Sequence, residues 1–209
     1  MFNQRDKNVT IKVGKLIANE HILHSTSDKL SIVDQYKKHL YGLKKGKKQY
    51  FETINTIARE ENRQSLKKEL KSSQLIGQTA DGKKIYLYDY VDNSAVMNEI
   101  GRLREISFRK VNEGVNKKRD LDQYDQYYKH IVLWDDEDLE IVGAYRIGEG
   151  KSINAQYGKY GFYSNTLFRF KKPFVKYLDN SIELGRSFVQ PKYWGTRALD
   201  YLWYGIGAY

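Results

Sequence analysis

Two apolar runs separated by an acidic turn restrict the fold of this chain more than any other feature. Residues 130–134 and 139–147 are rich in Val, Ile and aromatic side chains, and residues 135–138 between them are all acidic. β-Branched and aromatic residues fit a pleated, half-buried surface, so this pattern predicts an antiparallel hairpin. A second hairpin is predicted around the turn Asp81-Gly82. The chain is therefore expected to contain a β-sheet.

Helical patterns flank the predicted strands. Asp92, Asn93 or Ser94 can cap a helix with apolar residues at helical spacing, and a final helix is predicted from about Gly195. Between them, residues 181–189 read as a strand. The order after residue 94 is helix, hairpin, loop, strand, helix, which indicates an α+β or mixed-sheet domain.

The residues upstream of the hairpins have weaker patterns. A short strand is predicted at residues 9–13, one helix from about Ser27 to Gly42, and another over residues 50–58. Residues 60–72 are strongly charged and fit either a continuation of that helix or a linker.

Charge and cysteine content restrict the partners and the compartment. The net charge is +10 and there is no cysteine. The positive charge favours nucleic acid, an anionic lipid surface or an acidic carrier protein, unless the lysine clusters are only solvated helix ends. Without cysteine, disulfides and a cysteine nucleophile are excluded, which indicates a reducing compartment. No apolar run approaches the roughly 20 residues that span a bilayer, so we expect a cytoplasmic protein.

Four charged residues break the local patterns around them. Arg104 lies within an apolar helix stripe, where it either snorkels to solvent or meets a carboxylate. Arg146 is near the end of a predicted strand and could reach solvent or a partner. Asp122 and Asp125 precede the hairpin and are either turn formers or partners of these arginines.

The strand at residues 181–189 holds Glu183, Gly185 and Arg186 at its centre. Regular pleating would send the glutamate and the arginine to opposite faces. A bulge at Gly185 inserts one residue and can turn both toward one side, as bulges beside active sites do. The alternative is an edge strand with two solvated charges. On the first interpretation, this strand lines a site with the two arginines and two aspartates above.

Four spaced elements together resemble the signature of a known family. They are Arg104-x-x-x-Phe108, Asp122-x-x-Asp125, Arg146 in a Val-Gly-x-Tyr-Arg strand, and Glu183-x-x-Arg186. This order is similar to that of the acyl-homoserine-lactone synthases. It is more similar still to their lipid-making relatives, the ornithine-lipid and glycine-lipid N-acyltransferases, also called hemolysin-like proteins. The resemblance covers about residues 94–209. It implies an α+β, GNAT-like fold, in which a mixed sheet is splayed beside a bulge and flanked by helices. A small helical segment would precede this domain, and we expect the fold to be truncated at both ends.

The resemblance also implies a domain organisation. Residues 2–15 resemble the end of a glycerophosphate-type lysolipid acyltransferase domain, which some bacteria fuse ahead of the N-acyltransferase. We therefore expect a tail of that domain at residues 1–24 and a helical connector at residues 25–73. Residues 74–209 would form the GNAT-like domain without its C-terminal strands.

The reaction implied is transfer of a long-chain, 3-hydroxylated or plain acyl group from acyl carrier protein to the amino group of ornithine or glycine, in bacterial aminolipid synthesis. Glu183 would be the catalytic base, directly or through water. Asp122 and Asp125 would order the acceptor pocket, and backbone N–H groups near Arg186 to Phe188 would stabilise the oxyanion.

Substrate-binding roles are also implied by the resemblance. Arg104, Arg146 and Arg186 would hold carboxylates, one of which could be the acceptor's own. Phe108 and Trp194 would line the acyl or pantetheine channel, with Phe188 as a further binding residue. For Trp194, a packed aromatic at a helix start is the alternative.

The expected partners follow from one departure from the family pattern. The pyrophosphate loop of the superfamily is present only as residues 190–197, with one glycine. Acyl carrier protein is therefore expected as donor ahead of coenzyme A, with no bound cofactor and no metal. The other expected partners are an amino acid, the upstream domain and the inner membrane surface, which the protein would contact peripherally. Nucleic acid is not expected as a partner. Two alternatives stay open: a catalytically degenerate domain that anchors or regulates, and a basic nucleic-acid-binding module.

Overall fold

A computed structural model describes residue 8, residues 10–24 and residues 31–209. The chain divides into two compact units, Met1–Thr56 and Ile57–Tyr209. The domain limits at residues 24 and 73 come from the family resemblance, so they stay predictions.

The first unit contains the helices α1 (Asn19–His24) and α2 (Ile32–Lys45). Ser31 caps α2 by accepting a hydrogen bond from Asp34 N at 3.2 Å; the predicted caps at residues 27 and 28 lie outside the described residues. Helix α2 continues through Gly42, where a Cβ would lie 2.9 Å from the carbonyl oxygen of Lys48. That glycine allows a close approach of the chain instead of ending the helix.

Two predictions for this unit were wrong. Residues 10–15 have no regular structure, and residue 9 lies outside the described part. The predicted helix at residues 50–58 is also absent, because Ile54 forms an isolated antiparallel bridge with Leu16, with an N–O distance of 2.8 Å. A pairing between residues so far apart in sequence overrides the local helical pattern.

The second unit consists of a sheet, two long helices and several short ones. Its helices are α3 (Arg63–Lys71), α4 (Ala95–Lys110), α5 (Gly150–Tyr157), α6 (Ser164–Leu167), α7 (Lys172–Val175) and α8 (Ala198–Ala208). Its strands are β1 (Gln74–Gln78), β2 (Lys84–Tyr88), β3 (Lys129–Asp135), β4 (Glu140–Glu149) and β5 (Ile182–Val189). Both predicted hairpins are present.

The five strands form one sheet in the order β1-β2-β3-β4-β5, and every neighbouring pair is antiparallel. On one face, α4 packs Met97, Ile100 and Leu103 against Trp134 and other sheet residues. On the other face, Leu202 of α8 packs against a second apolar cluster. The predicted α+β class with helices on both faces is confirmed, although the strands described include no parallel pair and so are not mixed.

Two groups cap the N-terminus of α4. Ser94 Oγ accepts from Met97 N at 3.1 Å, and the carboxylate of Glu69 accepts from Ala95 N and Val96 N at 2.9 and 3.0 Å. A carboxylate at a helix N-terminus also interacts favourably with the helix dipole. The ambiguous stretch at residues 60–72 therefore contains a helix, α3, and Glu69 of this helix holds α4 in place.

The Gly- and Tyr-rich segment after β4 was predicted as a loop, but it begins with helix α5. A Cβ at Gly150 would lie 1.9 Å from the carbonyl oxygen of Leu178. Glycine is therefore needed here for a close approach between segments. Within the described ranges, no helix combines the length and apolarity that a membrane span requires.

Candidate active site

Strand β5 carries the predicted bulge. Ala144 is paired with Phe188 and Arg146 with Gly185, so β5 contains one residue more than β4 between these pairs. Arg186 adopts a left-handed conformation with φ 48°. Such a conformation costs a non-glycine residue about 1–3 kcal/mol and persists only where the surroundings impose it. The bulge predicted at Gly185 is therefore present, and the residue after that glycine, Arg186, has the left-handed conformation.

Arg104 of α4 is fully buried and makes ionic contacts. Its Nη1 donates to Oδ1 and Oδ2 of Asp125 at 3.1 and 3.2 Å, and to the carbonyl oxygen of Asp120 at 3.1 Å. The side chain is 1% exposed. Snorkelling is therefore excluded, and the arginine pairs with a carboxylate as predicted.

Arg146 of β4 shares that carboxylate. Its Nη1 lies 2.6 Å from Asp122 Oδ1 and 3.3 Å from Asp125 Oδ1, and the side chain is 1% exposed. Asp125 therefore lies between two arginines. The guanidinium of Arg146 is also surrounded by aromatic rings at 5.2–5.8 Å, which are those of Tyr124, Tyr128 and Tyr163.

Asp122 and Asp125 are turn formers as well as ion-pair partners. Asp122 caps the 3₁₀ turn Gln123–Gln126 by accepting from Tyr124 N at 2.9 Å, and Asp125 Oδ2 accepts from Asp122 N at 2.8 Å. Both sequence interpretations are thus confirmed. Burial raises the pKa of Asp125, but Arg104 and Arg146 outweigh it, so the net pKa is lowered and the carboxylate is ionised.

Arg186 is the arginine of this cluster that reaches the surface. Its Nη1 lies 3.3 Å from Asp120 Oδ2 and its Nη2 3.7 Å from Asp122 Oδ2, with the side chain 20% exposed. The rings of Phe108 and Tyr163 lie 5.9 and 5.4 Å from its guanidinium carbon. These longer ion pairs leave the guanidinium able to bind a further anion.

Glu183 holds the start of helix α6. Its Oε1 accepts from Ser164 N at 2.6 Å and from the Ser164 hydroxyl, while its Oε2 accepts from Tyr163 N at 2.9 Å and from the Tyr128 hydroxyl. Burial, followed by the contact with Glu183, raises the pKa of Tyr128 well above its ordinary value. The phenol therefore stays protonated as a donor to the Glu183 carboxylate.

His130 lies beneath the arginine–aspartate cluster without a hydrogen bond. It is fully buried, neither ring nitrogen has a hydrogen-bond partner among the described residues, and Nε2 lies 3.9 Å from Asp125 Oδ1. Burial lowers its pKa to about 3, so the ring is neutral at physiological pH.

Two predicted binding residues lie outside these contacts. Phe188 is buried in the core between the sheet and α4. Trp194 follows β5, where its Nε1 donates to the carbonyl oxygen of Val189 at 2.6 Å and its side chain stays half exposed. The structure therefore brings together seven of the nine predicted residues: Arg104, Phe108, Asp122, Asp125, Arg146, Glu183 and Arg186.

Four residues of the site were not predicted from the sequence: Asp120, Tyr128, Tyr163 and Ser164. Asp120 lies two residues before Asp122, so a third acidic residue in that stretch was a usable signal. Tyr163 and Ser164 belong to the Gly-Phe-Tyr-Ser segment that is part of the resemblance. Nothing in the local sequence assigns Tyr128 to Glu183.

The fold and the site define a class of protein. An antiparallel sheet covered by a helix on each face, with a bulged strand beside buried charges, is an arrangement typical of GNAT-type acyltransferase domains. Residues 103–204 match the sequence profile of the acetyltransferase (GNAT) domain family. This match confirms the predicted GNAT-like domain for that region of the chain.

Three curated relatives extend this finding. A glycine N(alpha)-acyltransferase of Phocaeicola vulgatus is 43% identical over 137 residues, which cover 60% of this chain and 42% of the relative. A glycine N(alpha)-acyltransferase of Bacteroides thetaiotaomicron is 37% identical over 168 residues, covering 74% and 50%. An L-ornithine N(alpha)-acyltransferase of Brucella abortus is 30% identical over 112 residues, covering 50% and 38%.

The matched region is half or less of each of these three relatives. No solved structure matches the chain significantly. Among the described residues, no group of acidic or histidine side chains is arranged to hold a metal ion.

Proposed function

We propose that this protein transfers an acyl group from a thioester to the α-amino group of an amino acid; the names of its relatives describe them as N(alpha)-acyltransferases of glycine or ornithine. The position of Tyr163 between Glu183 and Arg186 carries the proposal. Tyr163 donates its N–H to Glu183 at 2.9 Å and places its ring 5.4 Å from the guanidinium of Arg186. Arg186 and the Glu183 carboxylate, with its bound hydroxyls, thus lie on either side of Tyr163. An amino-acid acceptor needs a cation for its carboxylate and a base for its ammonium.

Arg186 is the group that would hold the carboxylate of the acceptor. It is partly exposed and its two ion pairs are long. Arg104 and Arg146 are buried and paired with aspartates, so they would fix the position of the aspartates instead of meeting substrate. A planar guanidinium matches a carboxylate with two parallel hydrogen bonds.

Glu183 would take the proton of the acceptor's ammonium through the Ser164 hydroxyl. Its four hydrogen-bond donors leave no free edge for direct contact with the amine. Of the two hydroxyls among them, Tyr128 is buried, whereas Ser164 is partly exposed and can accept from the ammonium while donating to Glu183. The proton predicted to reach Glu183 through water would thus pass through Ser164.

The amine then attacks the thioester carbonyl carbon. A C–N bond forms and the C–S bond breaks. The attacking nitrogen loses its second proton, which the departing thiolate takes up to become a thiol, and the first proton leaves Glu183 for solvent. The bulge sets Arg186 and Ser187 opposite Tyr145 alone, and the backbone N–H groups of this stretch would stabilise the oxyanion.

The donor would be a long-chain acyl group on acyl carrier protein, with acyl-coenzyme A as the alternative. The net charge of +10 suits an acidic carrier. The product would be an acylated amino acid, an amphiphile made in aminolipid synthesis, and the protein would work peripherally at a membrane surface. The upstream acyltransferase tail at residues 1–24 and the connector at residues 25–73 are part of this proposal.

The test is an acylation assay with a matched set of acceptors. The purified protein is incubated with long-chain 3-hydroxyacyl carrier protein or acyl-coenzyme A, and with glycine, ornithine or glycinamide. Acylated amines are measured by mass spectrometry. Glycinamide keeps the amine but lacks the carboxylate, so it should be acylated much more slowly than glycine if Arg186 binds the carboxylate.

Two outcomes would contradict the proposal. No acylated product from a folded protein, with any donor and acceptor, would favour the degenerate alternative with an anchoring or regulatory role. Equal rates with glycine and glycinamide would contradict the role of Arg186, as would an unchanged preference in Arg186→Gln.

A further inference from the structure

We propose that residues 157–177 form a surface that binds anionic lipid bilayers. This basic-aromatic segment contains eight aromatic residues, five Lys or Arg residues and no Asp or Glu. It connects α5 to the turn before β5 and includes the short helices α6 and α7. Within the second unit, the neighbouring strands β3, β4 and β5 contain acidic residues as well as basic ones, whereas this segment contains only basic ones.

The inner side of the segment is fixed to the domain. Phe162 is buried with Ile153 and Leu178, and the ring of Phe170 lies 6.0 Å from that of Phe162. The backbone N–H groups of Tyr163 and Ser164 donate to Glu183. The segment is therefore held at several points, and its outer side chains are displayed from a defined backbone.

The outer side of the segment exposes large apolar side chains. Their exposed fractions are 72% for Tyr160, 62% for Leu167, 68% for Phe168, 50% for Phe174 and 57% for Tyr177. Single exposed apolar residues are ordinary, but several within one short segment mark an interaction surface.

The cations of the segment have no acidic partner. Among the described residues, no carboxylate lies within ion-pair distance of Lys159, Arg169, Lys171, Lys172 or Lys176, whereas Lys83, Lys84 and Lys192 of the same unit are each paired. Lys159 and Lys176 instead lie 5.1 and 4.9 Å from the rings of Tyr160 and Tyr177. Five charges are therefore available to an external anion.

A bilayer fits both properties of this surface. Aromatic and aliphatic side chains enter the boundary between headgroups and acyl chains, while lysine and arginine reach the phosphates. An acidic protein would pair with the cations but would leave Leu167 and Phe168 in water unless it also offered an apolar cleft. We therefore assign a membrane surface with anionic headgroups as the partner.

The position of the segment links this surface to the site. Ser164 and Tyr163 lie within it and hold Glu183. A bilayer bound there would adjoin the place where, on the proposed function, an acyl chain reacts, so a lipid-like product could enter the membrane directly. This link rests on the proposed function, which already includes work at a membrane surface; the choice of residues 157–177 as the binding surface is argued from their own side chains.

The test is co-sedimentation with vesicles of phosphatidylcholine, with and without phosphatidylglycerol. Removing two charges in Lys171→Gln/Lys172→Gln should weaken binding to the anionic vesicles about thirtyfold. Leu167→Ser/Phe168→Ser should weaken it roughly a hundredfold, because two large side chains lose their apolar environment. Both variants should unfold at the temperature of the parent protein, since the changed side chains are exposed.

Matched controls make the same changes elsewhere in the same unit. Lys117→Gln/Lys118→Gln removes another adjacent pair of exposed lysines. Leu199→Ser/Trp203→Ser removes apolar side chains that are 50% and 54% exposed on α8. Both controls should bind vesicles like the parent protein. If controls and test variants lose vesicle affinity equally, residues 157–177 are not a defined binding surface.

Two further results would overturn the assignment. One is absence of parent binding to anionic vesicles. The other is unchanged vesicle binding in Lys171→Gln/Lys172→Gln together with weakened association with acyl carrier protein, which would make the segment a protein-docking surface. Acylation of glycine from a soluble short-chain donor should be unaffected in Leu167→Ser/Phe168→Ser, so failure of the reaction and failure of bilayer binding are distinguishable.

Discussion

Ser164 donates both its backbone N–H and its hydroxyl to one oxygen of Glu183, and the N–O distance is 2.6 Å. The backbone contact fixes the carboxylate, and the hydroxyl offers an exposed route to it. Substituting Ser164 therefore separates the two functions, because alanine keeps the N–H and removes only the hydroxyl.

Ser164→Ala should lower the rate of amine acylation by about a hundredfold, which is the lower end of what a positioned proton-transfer group contributes. Thermal unfolding should change little. The matched control is Ser152→Ala, since the Ser152 hydroxyl also donates to a glutamate, Glu149, at 2.9 Å on the exposed side of α5. Full activity in Ser164→Ala would exclude the hydroxyl as the proton route.

Glu183→Gln is a less specific probe of the same site. Each carboxylate oxygen accepts one backbone N–H, from Tyr163 or Ser164. The amide NH₂ of glutamine would face one of these two N–H donors, where the carboxylate offers an acceptor oxygen to both. We expect this variant to lose acylation and also to destabilise the start of α6, visible as faster amide hydrogen exchange at these two residues.

Asp125→Asn should destabilise the protein strongly. The carboxylate is fully buried between Arg104 and Arg146, and removing one partner of a buried ion pair costs about 3–5 kcal/mol. For a protein of this size, we expect the unfolding temperature to fall by about 10 °C.

The same substitution at Asp200 is the control for Asp125→Asn. Asp200 pairs with Arg197 at 3.9 Å on an exposed face of α8, and exposed pairs contribute less than about 1 kcal/mol. Asp200→Asn should leave the unfolding temperature nearly unchanged, and a similar effect of both variants would mean that the buried cluster is not what stabilises the core.

Two glycines of α8 should respond in opposite directions to alanine. At Gly205, a Cβ would lie 2.8 Å from Cγ2 of both Ile85 and Ile131, whereas at Gly207 nothing lies within 4 Å. Gly205→Ala should lower the free energy of unfolding by about 1–3 kcal/mol through overpacking. Gly207→Ala should raise it by up to about 1 kcal/mol, because alanine favours the helix. Urea unfolding measures both, and a shift of the same sign would contradict the packing of α8 on the sheet.

The parts of the fold that were predictable are those in which a local pattern has one physical solution. The 130–147 hairpin has two runs rich in β-branched and aromatic residues around an acidic turn, and Ser94 precedes a helical stripe. Arg104 and Arg146 were identifiable because a charge within an apolar pattern needs a partner, and Asp122 and Asp125 belong to an acidic stretch that lies between them in the sequence. The bulge was predictable because Glu183 and Arg186 could share a side only through an extra residue.

The parts that were not predictable depend on contacts between distant segments. Gly150 looked like a loop residue, but it is required by the close approach of Leu178. Ile54 lost its helix to a bridge with Leu16. Tyr128 and Ser164 meet Glu183 across 55 and 19 residues of sequence, and no periodicity encodes such a contact.

His130 should make the protein sensitive to acid. In the folded state its pKa is lowered to about 3 by burial, beside Asp125, Arg104 and Arg146, whereas an unfolded histidine titrates near 6.5. As the pH falls below about 6.5, the unfolded state binds a proton that the folded state does not, so stability is lost across the window from 6.5 toward 3. The slope contributed by this one group is at most about 1.4 kcal/mol per pH unit.

His130→Leu removes this contribution without breaking a hydrogen bond, because neither ring nitrogen has a partner among the described residues. We expect similar stability at neutral pH and a shallower loss of stability between pH 6.5 and 4, measured by urea unfolding at several pH values. Burial raises the pKa of Asp120, so its contribution to the pH dependence of stability has the opposite sign. Because Asp120 is present in both proteins, the difference between their curves of stability against pH isolates His130. Parallel curves through this window would mean that His130 becomes protonated in the folded protein, with Asp125 as its only carboxylate within 4 Å among the described residues.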